Sequence, residues 1–397
     1  MNPAAHEDDD VDVDSAALAR RPSVTWRVPF NRASLTGEEL EYLRDAIERG
    51  YISGDGPYTR RCEELLEREL GAARVLLTTS CTHALEAAAL LLDVGPGDEV
   101  IVPSFTFVST AAAFALRGAR IVFADVREDT LNLDETLLPQ LVTDRTRAIV
   151  PVHYAGVGCE MDAIGSHGVP VVEDNAQGLF GSWRGRALGT FGALAAQSFH
   201  ETKNLTCGEG GALIVNDPEL VERAEVIREK GTNRKKFFRG QVDKYTWVDL
   251  GSSYVLPDIL AGFLAAQLEH RDVIQSARRA IWDRYDDGLR DWADEHGVRR
   301  PIVPPECEQT WHMYYVLLPS LEARTRLIDH LAAHGVLAVF HYQPLHLSGM
   351  GQRFGGRIGQ CPVTEDVADR LLRLPFFTSM TESAQDEVIA AVRAFRA

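Results

Sequence analysis

Hydrophobic and polar positions change rhythm twice along the chain. Up to about residue 26 polar and acidic residues follow one another without period. From Arg74 to Val215 short β-branched runs alternate with stretches of helical length, and after about Leu260 a longer helical spacing takes over. Ahead of the first change, Thr36 and Glu39 stand three apart before Leu40, Leu43 and Ile47, a capping-box pattern that predicts a helix stopped by Gly50. The apolar runs are Val75 to Leu77, Glu99 to Val102, Ile121 to Phe123, Ala148 to Val152, Val169 to Val172, Ala195 to Phe199 and Leu213 to Val215. Short strands separated by helices predict an α/β fold, a mainly parallel sheet with helices on both faces.

The remaining pattern is sparser. Pro218 to Arg228 reads as a helix, Arg234 to Trp247 as a basic and aromatic loop, and Ile259 to Leu289 as a long helical region. Met313 to Leu317, Ala338 to His341 and a final amphipathic helix near Glu387 to Phe395 suit a smaller α/β lobe. These shifts divide the chain into a leader over 1–26, expected to be disordered, a large domain over 27–258, and a small C-terminal domain over 259–397. No internal repeat is visible.

Composition narrows the chemistry. The formal net charge is -17, and Glu7, Asp8, Asp9, Asp10, Asp12 and Asp14 of the leader supply six of the negatives, so the body is acidic as well. Such a balance opposes general binding to nucleic acid or to an anionic membrane, and a phosphate-bearing ligand must be caught by a local cluster of donors. The six cysteines are dispersed without a CxxC pair, which points away from a zinc site or a disulfide framework and toward a reducing compartment. With no stretch of eighteen apolar residues and no basic, apolar start, the expected location is the cytoplasm.

Ligands in open α/β sheets gather beyond the carboxyl ends of strands, so the polar segments that follow the runs carry the candidates. Ser198-Phe199-His200-Glu201-Thr202-Lys203-Asn204 presents one lysine after a strand end, either a solvated surface group or a catalytic amine. Glu173-Asp174 closes another run, with Gln177 three positions on. Asp174 is either a helix cap or the anion that a protonated pyridine cofactor needs against its ring nitrogen. Thr79-Ser80-Cys81-Thr82 precedes an apparent helix from His83 to Leu92, and such a terminus either caps itself or binds a phosphate. Ser198 would add a hydroxyl to that site. Phe107, in Ser104-Phe105-Thr106-Phe107, is either core or a ring that stacks on a planar cofactor. Gly208-Glu209-Gly210-Gly211 lacks G-x-G-x-x-G spacing and reads as turn and close-packing glycines rather than a dinucleotide loop.

Taken in this order, these segments resemble the DegT type of sugar-nucleotide aminotransferases, a branch of the fold-type-I pyridoxal 5'-phosphate (PLP) enzymes. The resemblance runs from Val28 to the end and includes Ser53-Gly54-Asp55-Gly56 and Arg373-Leu374-Pro375. It implies that Lys203 forms the internal aldimine and later shuttles the proton. It also implies that Asp174 pairs with the pyridinium, Gln177 faces the phenolic oxygen, Phe107 stacks on the ring, and Ser80, Cys81, Thr82 and Ser198 cradle the phosphate. Members of the family borrow a residue from a second subunit, commonly an asparagine just before the tyrosine that matches Tyr254; here Ser253 stands there, with Asn233 as a substitute. A homodimer with shared active sites is the corresponding expectation.

A narrower resemblance rests on Gly231-Thr232-Asn233-Arg234, Gly240-Gln241-Val242-Asp243-Lys244-Tyr245 and Phe199-His200-Glu201-Thr202-Lys203. It is similar to the transaminases that aminate carbon 4 of dTDP-4-keto-6-deoxyglucose with glutamate as donor. It implies that Arg234, Arg239 and Lys244 meet the diphosphate and that His341, Tyr342 and His346 lie on the sugar side, a plain structural role being the other reading of those three. A pentose in place of the hexose, a nicotinamide oxidoreductase acting on sugar nucleotides, and a catalytically silent regulator on the same fold are the competing readings.

Overall fold

A computed structural model describes residues 26–396, so the expected acidic leader falls almost wholly outside the described residues. Seven strands build the central sheet: β1 (Arg74–Thr78), β2 (Glu99–Pro103), β3 (Arg120–Ala124), β4 (Thr146–Ile149), β5 (Val172–Asp174), β6 (Leu194–Ser198) and β7 (Gly211–Val215). Their order is β1-β7-β6-β5-β4-β2-β3, with β5 joined to β4 through parallel bridges at Ile149/Val171 and Val152/Asp174. Only β7 runs against its neighbours. The parallel strands therefore end on one edge, and the antiparallel β7 starts there.

The strands are nearly continuous apolar runs because both faces are covered. Helix α1 spans Glu39–Glu48, α2 Pro57–Leu70 and α3 Cys81–Leu91. On one face Ala84, Leu85 and Ala88 of α3 pack with Val100, Val102, Leu213 and Val215. On the other, Cys62 and Leu66 of α2 join Val75, Leu77, Ala195 and Ala212. That second core also takes Ala261, Leu264 and Leu268 from α4 (Asp258–Glu269), a helix that a boundary at 258 assigns to the smaller lobe.

The smaller lobe is a three-stranded antiparallel sheet, β8 (Tyr315–Leu317), β9 (Val339–Phe340) and β10 (Leu371–Arg373), in the order β8-β10-β9. It packs on α5 (Arg271–His296), α6 (Leu321–Ala333) and α7 (Glu382–Arg393) through Tyr285, Leu289, Val316, Leu327, Leu372 and Val388. Val28 belongs to this core too and bridges to Val336, so the described residues begin and end in the same lobe.

Two elements turn apolar side chains outward. In α1 the Glu39 carboxylate accepts from the Thr36 N–H (2.7 Å), one half of the capping pattern, but the Thr36 hydroxyl donates to that carboxylate (2.9 Å) instead of capping the helix, and Leu40 is 74% and Ile47 58% exposed. The stretch read as a loop holds a short helix, Arg234–Phe238, followed by exposed Tyr245 and Trp247. Among the described residues no helix is long and apolar enough to cross a membrane.

Candidate active site

The carboxyl edge of the sheet and the smaller lobe enclose a cavity of about 610 Å³. From the sheet come Ser80, Cys81, Thr82, Phe107, Asp174, Gln177, Ser198 and Lys203; from the other lobe come His312, His341, Tyr342 and Arg373. The strand-end segments thus meet because parallel order puts their ends side by side: Asp174 closes β5 opposite Ala196 of β6, and Lys203 follows the end of β6.

Lys203 and Asp174 are held without an ion pair between them. Packing around the Lys203 amine pushes its pKa below the ordinary value, while Cys81 and Asp174 pull it back up. A depressed value enlarges the neutral, nucleophilic fraction. Burial likewise raises Asp174 above the carboxylate range, against the Thr110 hydroxyl (2.7 Å), the Ala176 N–H (3.2 Å) and Lys203. A carboxyl whose charged form burial disfavours is a site prepared for a cation, which would favour that form. Beneath it, Glu173 is locked by His153 (2.8 Å) and by the N–H groups of Gly189, Phe191 and Gly192, which fixes the end of β5.

The phosphate-sized end of the cavity is the start of α3. Ser80 caps that helix by accepting from the His83 N–H (3.1 Å), and the first-turn N–H groups of Cys81 and Thr82 have no acceptor within the helix. Gly211 makes the turn possible: a methyl group there would run into the Ser80 carbonyl and the Cys81 nitrogen. The glycine run is thus turn and close approach, with Gly208 at a left-handed φ of 86°. Phe107 lines the cavity, while Phe105 is buried in a core with Tyr154 and Tyr315. Gln177 accepts from the Ala155 N–H (2.7 Å) and reaches the Tyr342 hydroxyl (3.4 Å). The residues present fit PLP: an amine, an anion for the ring nitrogen, an aromatic wall and a helix terminus line one cavity.

Other expected residues lie elsewhere. His346 does not face the cavity; its side chain is 0% exposed, held by Ser104 (2.6 Å) and Glu365 (3.0 Å), because the turn after Pro344 directs it into the core. Within one chain, Ser253 and Arg239 line a second cavity beside Asp55, Glu229 and Lys235. Arg239 is paired there with Glu225 (2.5 Å) and Arg234 with Glu229 (3.1 Å), so their charge is largely spent within the chain. Asn233 accepts from the Thr246 N–H (2.7 Å), and Lys244 is exposed and lines neither cavity.

Two cavity residues received no role from the sequence, although Arg373 stands in the segment Arg373-Leu374-Pro375. His312 is buried, its Nδ1 against Asn204 Oδ1 (2.9 Å), and burial together with Lys203 keeps the imidazole neutral. Arg373 sits at the end of the apolar run Leu371-Leu372, and a lone arginine in such a strand was the available signal.

Comparisons with known proteins agree with this geometry. The profile of the DegT/DnrJ/EryC1/StrS aminotransferase family matches residues 33–393. The spore coat polysaccharide biosynthesis protein SpsC of Bacillus subtilis is 32% identical over 92% of this chain and 96% of its own. Among solved structures, DesV of S. venezuelae, in complex with a ketimine intermediate, has a TM-score of 0.84 at 33% identity, covering 93% of this chain and 98% of that one. Spr1654 of Streptococcus pneumoniae, described as a sugar aminotransferase, superposes in its PLP form with a TM-score of 0.85 at 26% identity, covering 92% and 97%.

Proposed function

This chain belongs to the DegT/DnrJ/EryC1/StrS aminotransferase family, fold-type-I enzymes that use PLP to aminate sugars, and from that premise we propose that it aminates carbon 4 of dTDP-4-keto-6-deoxyglucose with glutamate as donor. The observation that carries the chemistry is the meeting of Lys203, Asp174 and the α3 terminus in one cavity. When bound, PLP supplies the electron sink that makes the hydrogen on the donor's α-carbon acidic. The chain's residues do the rest. Asp174 holds positive charge at the ring nitrogen, the N–H groups of Cys81 and Thr82 with the hydroxyls of Ser80, Thr82 and Ser198 fix the phosphate, and Phe107 covers the ring face. Lys203 Nζ, biased toward its neutral form, takes the proton from the donor carbon and later returns one to carbon 4 of the sugar.

The sugar nucleotide is supported by the segments 231–234, 240–245 and 199–203, and by relatives whose names refer to sugars and polysaccharide. The product would be a dTDP-4-amino-4,6-dideoxyhexose, with His341 and Tyr342 on the sugar side. A homodimer that shares its active sites is supported by the outward apolar residues Leu40, Ile47, Phe238 and Trp247. In such a dimer Asn233, Arg239, Lys244 and Ser253 would serve the partner's cavity. The six cysteines are unpaired, in keeping with the cytoplasm.

Incubation with glutamate and dTDP-4-keto-6-deoxyglucose, followed by NMR of the product, tests the substrate. An amine at carbon 4 is expected. An unchanged sugar, in an enzyme whose visible band glutamate bleaches, would overturn the substrate and leave the transaminase.

A further inference from the structure

A buried histidine normally spends both ring nitrogens on partners. His153 does so with Glu173 and the Cys159 N–H, and His346 with Glu365 and Ser104. His312 spends one. Asn204 Nδ2 faces the Thr310 carbonyl (2.7 Å) and Gln275 Oε1 (3.1 Å), and a carbonyl only accepts, so Asn204 Oδ1 is the atom turned to His312 Nδ1 (2.9 Å). Nδ1 therefore carries the proton. Nε2 keeps its lone pair and makes no hydrogen bond among the described residues.

The turn that aims this side chain is strained and doubly held. Trp311 takes a left-handed φ of 49°, an unfavourable conformation for a bulky residue. Arg278 of α5, itself buried, locks the turn by donating to the carbonyls of Trp311 (3.1 Å) and His312 (2.5 Å) and to the Thr378 hydroxyl (3.2 Å). Gln275 of the same helix fixes Asn204, the neighbour of Lys203 in sequence. Burial, with Lys203, Arg278 and Arg373 nearby, pushes the imidazole well below its ordinary range, so at neutral pH it remains an acceptor. Beside it lies a recess of about 10 Å³, the room that one water needs, lined by Gln177, Ser198, Lys203, Asn204 and His312 among others. All of these but Asn204 line the large cavity too, so the recess adjoins the Lys203 amine.

We propose that this recess is the site of the water that takes part in amino transfer, held by His312 Nε2. This rests on the transaminase reading above. The first half of such a reaction consumes one water: the double bond between the donor carbon and the cofactor's nitrogen gives way to one between that carbon and oxygen. The water's oxygen goes to carbon and both its hydrogens end on nitrogen, one of them by way of Lys203 Nζ, with no change in electron count. The second half runs the same exchange backward at the sugar and releases a water. His312 accepts one O–H and so turns an oxygen lone pair toward the carbon. An imidazole of low basicity orients the water without taking its proton, and Asn204 is the positioning residue that keeps Nε2 bare.

The test uses the PLP-loaded enzyme with His312→Phe, which has no acceptor, and His312→Gln, whose amide accepts. Loss of the visible band with glutamate reports proton removal, and quenched-flow release of 2-oxoglutarate reports the addition of water. The Phe variant should lose the band within about 2-fold of the wild-type rate but release 2-oxoglutarate about 10- to 100-fold more slowly, the loss of one hydrogen bond, with partial recovery in the Gln variant. Apart from turnover, a crystal structure of the wild type without substrate should place a water about 2.7–3.2 Å from His312 Nε2, and the Phe variant should lack it. If His312→Phe does not fold, the wild-type crystal structure decides. Wild-type release from the Phe variant, equal slowing of both steps, or no water at Nε2 would overturn the site. A wild type whose band glutamate leaves unchanged would remove the transaminase reading with it; a wild type that bleaches, beside variants that release at its rate, removes the water site alone.

Discussion

Two cavities of about 610 Å³ each open on this molecule, and they treat charge in opposite ways. Around the cavity of Asp55 and Ser253 the charges are matched: Lys235 with Asp55 (3.6 Å), Arg74 with Glu63, Arg234 with Glu229, Arg239 with Glu225, and behind them Arg228 with both Asp55 and Glu63. Around the cavity of Lys203 they are not. Lys203, Asp174 and Arg373 form no ion pairs among the described residues, and burial pushes the amine and the guanidinium down and the carboxyl up. Matched charges hold a chain in place, whereas unmatched ones keep the folded state less stable than it could be until a ligand arrives.

The largest expected effect comes from breaking the matched side. Arg228→Met leaves Glu63 buried and Asp55 without its closest partner, and should destabilise the chain by about 3–5 kcal/mol in urea denaturation. The variant that still folds should keep a normal cofactor band, because nothing in the Lys203 cavity has changed. Equal stability to wild type would show that the two cavities do not differ as described.

Asp174→Asn sharpens the other side, with a smaller effect of opposite sign. Folding raises the Asp174 carboxyl above its ordinary range, so between the ordinary and the raised values the folded chain keeps a proton that the unfolded chain has released. This contribution to stability is present below the ordinary value and is lost as pH rises toward the raised one. Lys203 and Cys81 face the same carboxyl and are unchanged in the variant. Once freed of cofactor, the Asn variant should match wild type near pH 4 and exceed it near pH 8, by about 1–3 kcal/mol. A variant less stable than wild type at pH 8 would count against the unmatched reading.

Much of the sheet side was legible in the sequence. A strand buried on both faces is a short apolar run, and in a parallel sheet whatever follows such runs must gather on one edge, so Ser80, Asp174, Ser198 and Lys203 could be named from order alone. The other wall was not legible in this way. Arg373 and His312 reach the cavity only because the smaller lobe docks there, and no local pattern states which lobe face does so. His346 shows the same limit from the opposite direction: His341, Tyr342 and His346 share one segment, but a turn at Pro344 sends the last toward Ser104 and Glu365. The expected boundary at 258 falls between α4 and the core it packs in, because α4 and α5 are consecutive helices whose apolar faces serve different cores, a difference of packing partner rather than of period.

The central claim is that Lys203 is the amine that carries PLP, and reduction of the loaded enzyme with borohydride followed by peptide mapping tests it most directly. The account predicts a single labelled peptide, with the pyridoxyl group on Lys203, and none in Lys203→Ala. Label on another lysine, or none on a protein that shows the visible band, would contradict it.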